Sequence, residues 1–200
     1  MLDECDIVVT NPPFSLARAY VQCLREHNKH FIIIGDLNWI TYKEIFPMLK
    51  NNEVWLGYSS VKEFVQPDGT IKKFGNKLWY TNLDIQKRHE KLILWQRYYD
   101  DDGNPLPDVN ERYPRYDELP KVINVNKVDE IPCDYFDYIG VPITFLDKYN
   151  PKQFEIVDAI NRYTDSDYFG VNESVRSRHS HCCNINGTAV YKRIVVRRLN

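Results

Sequence analysis

Asn11-Pro12-Pro13-Phe14 directly follows the β-branched run Ile7-Val8-Val9. The two prolines fix φ at successive positions and remove two backbone donors. What remains is a rigid row of acceptors, the Asn11 side-chain oxygen and nearby main-chain carbonyls, beside an aromatic ring. Such a row suits a planar group that carries an amine. Two acceptors aimed at an –NH₂ draw its hydrogens into one geometry and leave the nitrogen lone pair open for attack. They also stabilise the positive charge that develops as the nitrogen is alkylated. Phe14 can stack on a heteroaromatic face at about 1–3 kcal/mol, a useful gain for a base removed from its duplex. These residues describe a clamp for an exocyclic amine. The plainer alternative is a stiff turn between strand and helix, since a tetrapeptide match arises readily by chance.

The elements around the clamp decide between these readings. Ser15 predicts a helix N-cap, with Leu16, Tyr20, Cys23 and Leu24 as the apolar stripe of the following helix. Phe31-Ile32-Ile33-Ile34 reads as a strand covered on both faces and ends at Gly35-Asp36. Strand, turn, helix and strand in succession predict an α/β protein with a parallel crossover. In such sheets ligands bind beyond the carboxyl ends of the strands, which is where Asn11–Phe14 would lie. Asp36, at a second strand end, is open to two roles, ligand contact or helix start.

Further along, Thr41-Tyr42-Lys43-Glu44 has capping-box spacing and predicts a helix through Leu49, kinked or shortened by Pro47. Val54-Trp55-Leu56 reads as a third strand. Val61–Val65 and Lys77–Thr81, around a Pro67-Asp68-Gly69 turn, read as an antiparallel pair. Residues 100–120 carry the Asp100–Gly103 run and four prolines, and predict an exposed, mobile loop. Strands are expected at Val122–Val125, Gly140–Phe145, Phe154–Val157 and Tyr191–Val196, with a turn or short helix at Asn150-Pro151 and a hairpin turn at Asn186-Gly187.

Composition excludes several classes. The chain is 43% hydrophobic and 27% charged, an ordinary globular balance, with aromatics high at 14%. A formal net charge of −2 supplies no global attraction to nucleic acid, so such binding would use local patches. No apolar window is long enough for a membrane span, and the five scattered cysteines do not form a disulfide framework. A cytoplasmic setting is expected. Residues 61–91 hold seven basic side chains against four acidic ones, with Trp79 and Tyr80 interleaved. Lys72, Lys73, Lys77 and Arg88 are the candidate phosphate contacts there, the alternative being a solvated hairpin face. Arg176, Arg178, Lys192, Arg193, Arg197 and Arg198 form a second basic group near the C-terminus. His179-Ser180-His181-Cys182-Cys183 gathers metal-ligating types, but no second separated pair accompanies it, so no metal is expected.

Beyond the tetrapeptide, "NPPFSLARAYV", "FIIIGDLNWITYKEIFPMLK", "VWLGY", "KFGNKLWYTNLD", "INVNKV", "GVPITFLDKYNPKQFEIV" and "YKRIVVRRL" together resemble the adenine-specific DNA methyltransferases of the EcoRI type, in order along nearly the whole chain. The resemblance implies methyl transfer from S-adenosylmethionine (SAM) to the exocyclic amine of adenine, without metal, in a restriction-modification setting. By the same resemblance Asn11 and the Pro12 carbonyl accept from that amine, Pro13 fixes the loop and Phe14 stacks on the flipped base.

The fold implied is a partial Rossmann-like sheet, with the catalytic half in 1–58, a largely β target-recognition region in 59–135 and a C-terminal part, 136–200, packing back on the core. Double-stranded DNA is the expected partner. The family's Gly-rich SAM loop has no counterpart here, since the sequence contains no G-x-G. A truncated or split member is therefore expected, with a second polypeptide or a homodimer completing the sheet beside Ile7-Val8-Val9. Two alternatives stand: a methyltransferase acting on a protein glutamine or an RNA guanine, and a non-catalytic remnant that binds DNA or a subunit.

Overall fold

The structure, a computed structural model, describes residues 4–160 and 182–199. Arg176, Arg178, His179, Ser180 and His181 lie outside the described residues, so part of the candidate metal cluster and part of the second basic group do as well. The fold is mixed α/β, and the chain divides into two units, Met1–Arg88 and His89–Asn200.

In the first unit, β1 (Ile7–Thr10) and β2 (His30–Asp36) pair in parallel, with Thr10 opposite Ile33. Parallel neighbours need a crossover, and α1 (Ala17–Glu26) provides it. The helix does not start on a Ser15 cap. Phe14–Leu16 form a 3-10 turn in which the Leu16 N–H donates to the Pro13 carbonyl at 2.9 Å. That turn delays the helix and rotates its apolar face. Ala17, Val21 and Leu24 are the buried residues at i, i+4 and i+7, whereas Leu16 is exposed. Along β2, Phe31, Ile33 and Ile34 are buried, as a strand covered on both faces requires. At the sheet's edge, Ile7 and Val9 of β1 are exposed.

The chain leaves β2 through a 3-10 turn, Leu37–Thr41, and reaches α2 (Phe46–Lys50), a single short helix with Pro47 in its first turn. The capping box expected at Thr41–Glu44 does not form. Thr41 Oγ1 donates back to the Asn38 carbonyl at 3.1 Å, closing the preceding turn instead. β3 (Trp55–Val65) and β4 (Ile71–Thr81) then make a long antiparallel hairpin, and the sheet order is β1-β2-β4-β3. β3 joins into one strand the two segments expected separately, and runs through the expected 58/59 boundary. Register shifts between Leu56 and Ser60 and between Val61 and Glu63 absorb the irregularity; such bulges bend a strand and increase its twist.

The second unit begins with largely irregular chain that carries α3 (Val109–Arg112), β5 (Ile123–Asn124) and a 3-10 turn at Val128–Glu130. The segment 100–120 lacks regular strands, as expected, yet its aromatic side chains belong to a core. Tyr98 lies 5.8 Å from Tyr113 and 4.5 Å from Tyr135, ring centre to ring centre. Tyr113, Tyr116 and Leu119 are buried. β6 (Tyr138–Pro142), β7 (Phe154–Ile160), the hairpin β8 (Cys182–Ile185) and β9 (Thr188–Tyr191), and β10 (Arg193–Arg198) follow. The sheet order is β5-β6-β10-β7, with β10 antiparallel to both neighbours.

Two strand expectations shift in this unit. Ile143–Lys148 form a 3-10 turn, so β6 ends at Pro142 rather than Phe145. Tyr191 closes β9, and Lys192 at φ 25° separates it from β10. The Asn186-Gly187 turn is present, with φ of 50° and 74°, both in the left-handed region that this hairpin type requires. The Asp117 carboxylate accepts from both turn N–H groups, at 3.0 and 2.8 Å. Beneath the sheet, Tyr116, Leu119, Val122, Val157, Ile160, Cys183 and Val195 form one buried cluster.

Candidate active site at the carboxyl ends of β1 and β2

Because β1 and β2 are parallel, their carboxyl ends face the same way. Asn11–Phe14 leaves β1 there, and Asp36 closes β2 at the same end. Asn11 and Pro13 are exposed, while Pro12 is buried and seats the loop against the unit. The bond from Leu16 N–H takes the Pro13 carbonyl out of the set that can face a ligand. The loop thus runs stiffly from a strand into a turn, with the Asn11 side chain presented to solvent.

Asp36 takes the helix-start role, and more. Its Oδ1 accepts from the Asn38 N–H at 2.8 Å, which caps the 3-10 turn. Its Oδ2 accepts from Lys77 Nζ at 2.6 Å and from Asn76 Nδ2 at 2.8 Å. Its carbonyl accepts from the Tyr80 hydroxyl at 2.9 Å. Burial by itself pushes the Asp36 carboxyl up, but the hydrogen bonds from Lys77 and Asn38 outweigh it and hold the group below its ordinary value. This carboxylate is closed by the protein and does not face a ligand.

Gly35 is required one residue earlier by close approach. A side chain there would run into the Trp39 and Tyr80 rings, which lie 5.5 Å apart, centre to centre, and are both buried.

The four expected phosphate contacts separate into two kinds. Lys72 and Lys73 are exposed near the hairpin tip. Lys77 is 7% exposed and ion-paired to Asp36, so its ammonium is not offered to a surface ligand. Arg88 lies 3.6 Å over the Trp55 ring and donates to Asn52 Oδ1, a packing role within the first unit. Sequence reading missed the Asp36–Lys77–Asn76 cluster because its members are about forty positions apart. The one local hint is a lysine embedded between Phe74 and Leu78-Trp79-Tyr80.

A cleft of about 510 Å³ lies between α1 and α2, lined by Arg18, Arg25, Lys43, Glu44 and Met48 among others. Its arginines are ion-paired, Arg18 with Glu44 at 3.6 Å and Arg25 with Glu53 at 3.0 Å. Asn11, Pro12 and Pro13 do not line it.

Fold and site together define a mixed α/β protein whose exposed acceptor loop stands at the carboxyl end of a parallel strand. The chain belongs to the family described as adenine-specific methyltransferase EcoRI, whose model matches residues 1–199. It is 40% identical to the Type II methyltransferase M.EcoRI of Escherichia coli, over 98% of this chain and 59% of that protein. It is 36% identical to the Type II methyltransferase M.MpnI of Mycoplasma pneumoniae, over 99% of this chain and 66% of the relative. Type II methyltransferase M.MgeORF184P of Mycoplasma genitalium is 34% identical, over 99% and 66% respectively. The chain therefore spans between 59% and 66% of the length of these relatives. No solved structure matches it.

Proposed function

We propose that this chain carries the amine-binding half of a SAM-dependent DNA adenine methyltransferase. The observation that carries the reading is Asn11, exposed on a proline-stiffened loop at the carboxyl end of β1, in a chain of this family. The β1-α1-β2 unit is read as part of a Rossmann-like sheet. Asn11 Oδ1 and the Pro12 carbonyl accept from the adenine amine, Pro13 holds the loop's direction, and Phe14 stacks on the base extruded from the duplex. Held this way, the amine keeps its lone pair aimed at the incoming methyl group and its growing positive charge stabilised.

SAM, when bound, supplies an electrophilic methyl group on a sulfonium sulfur. The carboxylate at the end of β2 is closed by Lys77 and Asn76 and is not offered to it. The exposed Ile7 and Val9 on the outer edge of β1 support pairing with a further strand, from a second polypeptide or a second copy; elution as a monomer at all concentrations would remove that element. Double-stranded DNA is the proposed substrate and partner. Among the described residues, no helix is long and apolar enough to cross a membrane.

The test is transfer of labelled methyl from SAM to duplex DNA by the chain and by Asn11→Ala. The expected result is a loss of roughly 10²–10³ in rate for the variant, with an unchanged melt. Equal rates would refute the assignment of Asn11. Label appearing on a protein glutamine or an RNA guanine instead would move the substrate class and keep the clamp. No transfer by the unaltered chain, either alone or with a complementing half, would leave only a binding role.

A further inference from the structure

We infer that the outer part of the β3–β4 hairpin is a DNA-groove ribbon, projecting from the same end of the sheet as the Asn11 loop. This inference rests on the proposed DNA substrate and adds the element that would hold the duplex.

The topology carries the argument. β4 pairs with β2 only from Thr81, opposite Ile32, to Lys77, opposite Asp36. Lys77 is therefore level with the carboxyl end of β2. Residues Ile71–Asn76 of β4 and their partners on β3 continue beyond that end with no other strand beside them among the described residues. At roughly 3.4 Å per residue, this free ribbon extends about 20 Å past the sheet. Strands lie about 4.8 Å apart, so β4, two places from β1 in the sheet, is about 10 Å from the strand that delivers Asn11. The ribbon and the amine clamp thus issue from one edge, close enough for one duplex to touch both.

Surface chemistry agrees with this placement. Lys62, Glu63, Val65, Lys72, Lys73 and Gly75 are all exposed, which leaves both faces of the ribbon open. An isolated two-stranded ribbon is only marginally stable. This one is held by Phe64 against Phe74, edge to face at 5.2 Å, with the Lys72 ammonium 5.3 Å over the Phe74 ring. Its base is fastened by the Lys77–Asp36 pair.

The other face places Lys73 beside the cross-strand pair Val65 and Ile71, both exposed, with Glu63 3.7 Å from the Lys73 ammonium. Three lysines, at 62, 72 and 73, stand on the outer ribbon against Glu63 and Asp68. Asp68 is exposed at the tip and accepts from the Thr70 hydroxyl and N–H at 2.6 and 2.9 Å. A two-stranded ribbon is one of the two backbone elements that the major groove, roughly 12 Å wide, admits. Lysines on its flanks would meet phosphates and set its register, while the tip faces base edges.

The test is duplex binding by the full chain, measured by fluorescence anisotropy across a salt series. Each phosphate contact removed should lower the salt slope by about 0.9. Lys72→Ala/Lys73→Ala is expected to lower it by about 1–2 and weaken binding several-fold or more at moderate salt. Lys43→Ala/Lys50→Ala, two exposed lysines off the ribbon, is expected to leave the slope unchanged. An unchanged slope for the ribbon variant would overturn the inference while the adenine reading stands, because Asn11→Ala tests that separately. Equal losses from both variants would also overturn it, reducing the effect to net charge. No duplex binding by the unaltered chain would overturn both readings.

Discussion

Replacing Lys77 by methionine isolates the interaction that closes the carboxyl end of β2. Methionine retains most of the apolar stem but leaves the Asp36 carboxylate facing a site from which its cation is gone. The side chains of Lys77 and Asp36 are 8% and 18% exposed, and the Nζ–Oδ2 separation is 2.6 Å. Removing one partner of a fully buried pair costs about 3–5 kcal/mol. Residual water at Asp36 and its bonds from Asn76 and Asn38 reduce that to roughly 2–4 kcal/mol.

The pH dependence has a definite sign. Asp36 has a folded value below its ordinary 3.8, so its stabilisation is complete above that pH and is lost as pH falls through the folded value. In Lys77→Met burial dominates and raises the carboxyl, so the deficit relative to the parent grows from about pH 3 to pH 6. Urea unfolding at several pH values, read as midpoint shifts at constant slope, measures this directly. Adding Asp36→Asn should recover part of the loss, with a coupling of about 1–3 kcal/mol in the double-mutant cycle. A deficit under about 0.5 kcal/mol, or one that does not change between pH 3 and 6, would show a pair screened as at a surface.

Other perturbations probe separate parts of the chain. Gly35→Ala should destabilise the first unit by about 1–3 kcal/mol or more, because neither buried ring beside it can withdraw; an unchanged urea midpoint would contradict this. In the second unit, Tyr116 donates its hydroxyl to Asn124 Oδ1 at 2.7 Å, where Arg193 Nε also donates at 3.2 Å. Tyr116→Phe should therefore cost about 1 kcal/mol, with Asn124 still partly satisfied. Burial pushes the Tyr116 hydroxyl well up, so its contribution should be full below pH 10 and fall as pH rises above it. Alkaline unfolding of the parent and variant should then converge above that pH.

Pieces of the fold with local causes were legible in the chain alone. Two adjacent prolines after Ile7-Val8-Val9 can only end a strand and stiffen the loop beyond it. Phe31–Ile34 needs cover on both faces whatever its neighbours are. Asn186-Gly187 specifies its own turn through two residues that tolerate positive φ. The proposed clamp is legible for the same reason, since it rests on four contiguous residues, and ordered similarity along the chain identified the family.

Tertiary structure settled the features that depend on residues far apart in the chain. Ser15 reads as a cap, but the Pro13 carbonyl takes the Leu16 N–H first and shifts the helical face. Lys77 reads as a surface cation because charge favours water. Only the pairing of β4 with β2 sets it opposite Asp36, where a carboxylate and hydrogen bonds replace that water. The same pairing ends at Asp36, which leaves the outer hairpin to project past the end of the sheet from which Asn11 leaves β1. Register between distant strands is a property of the assembled core, and no local run of residues encodes it.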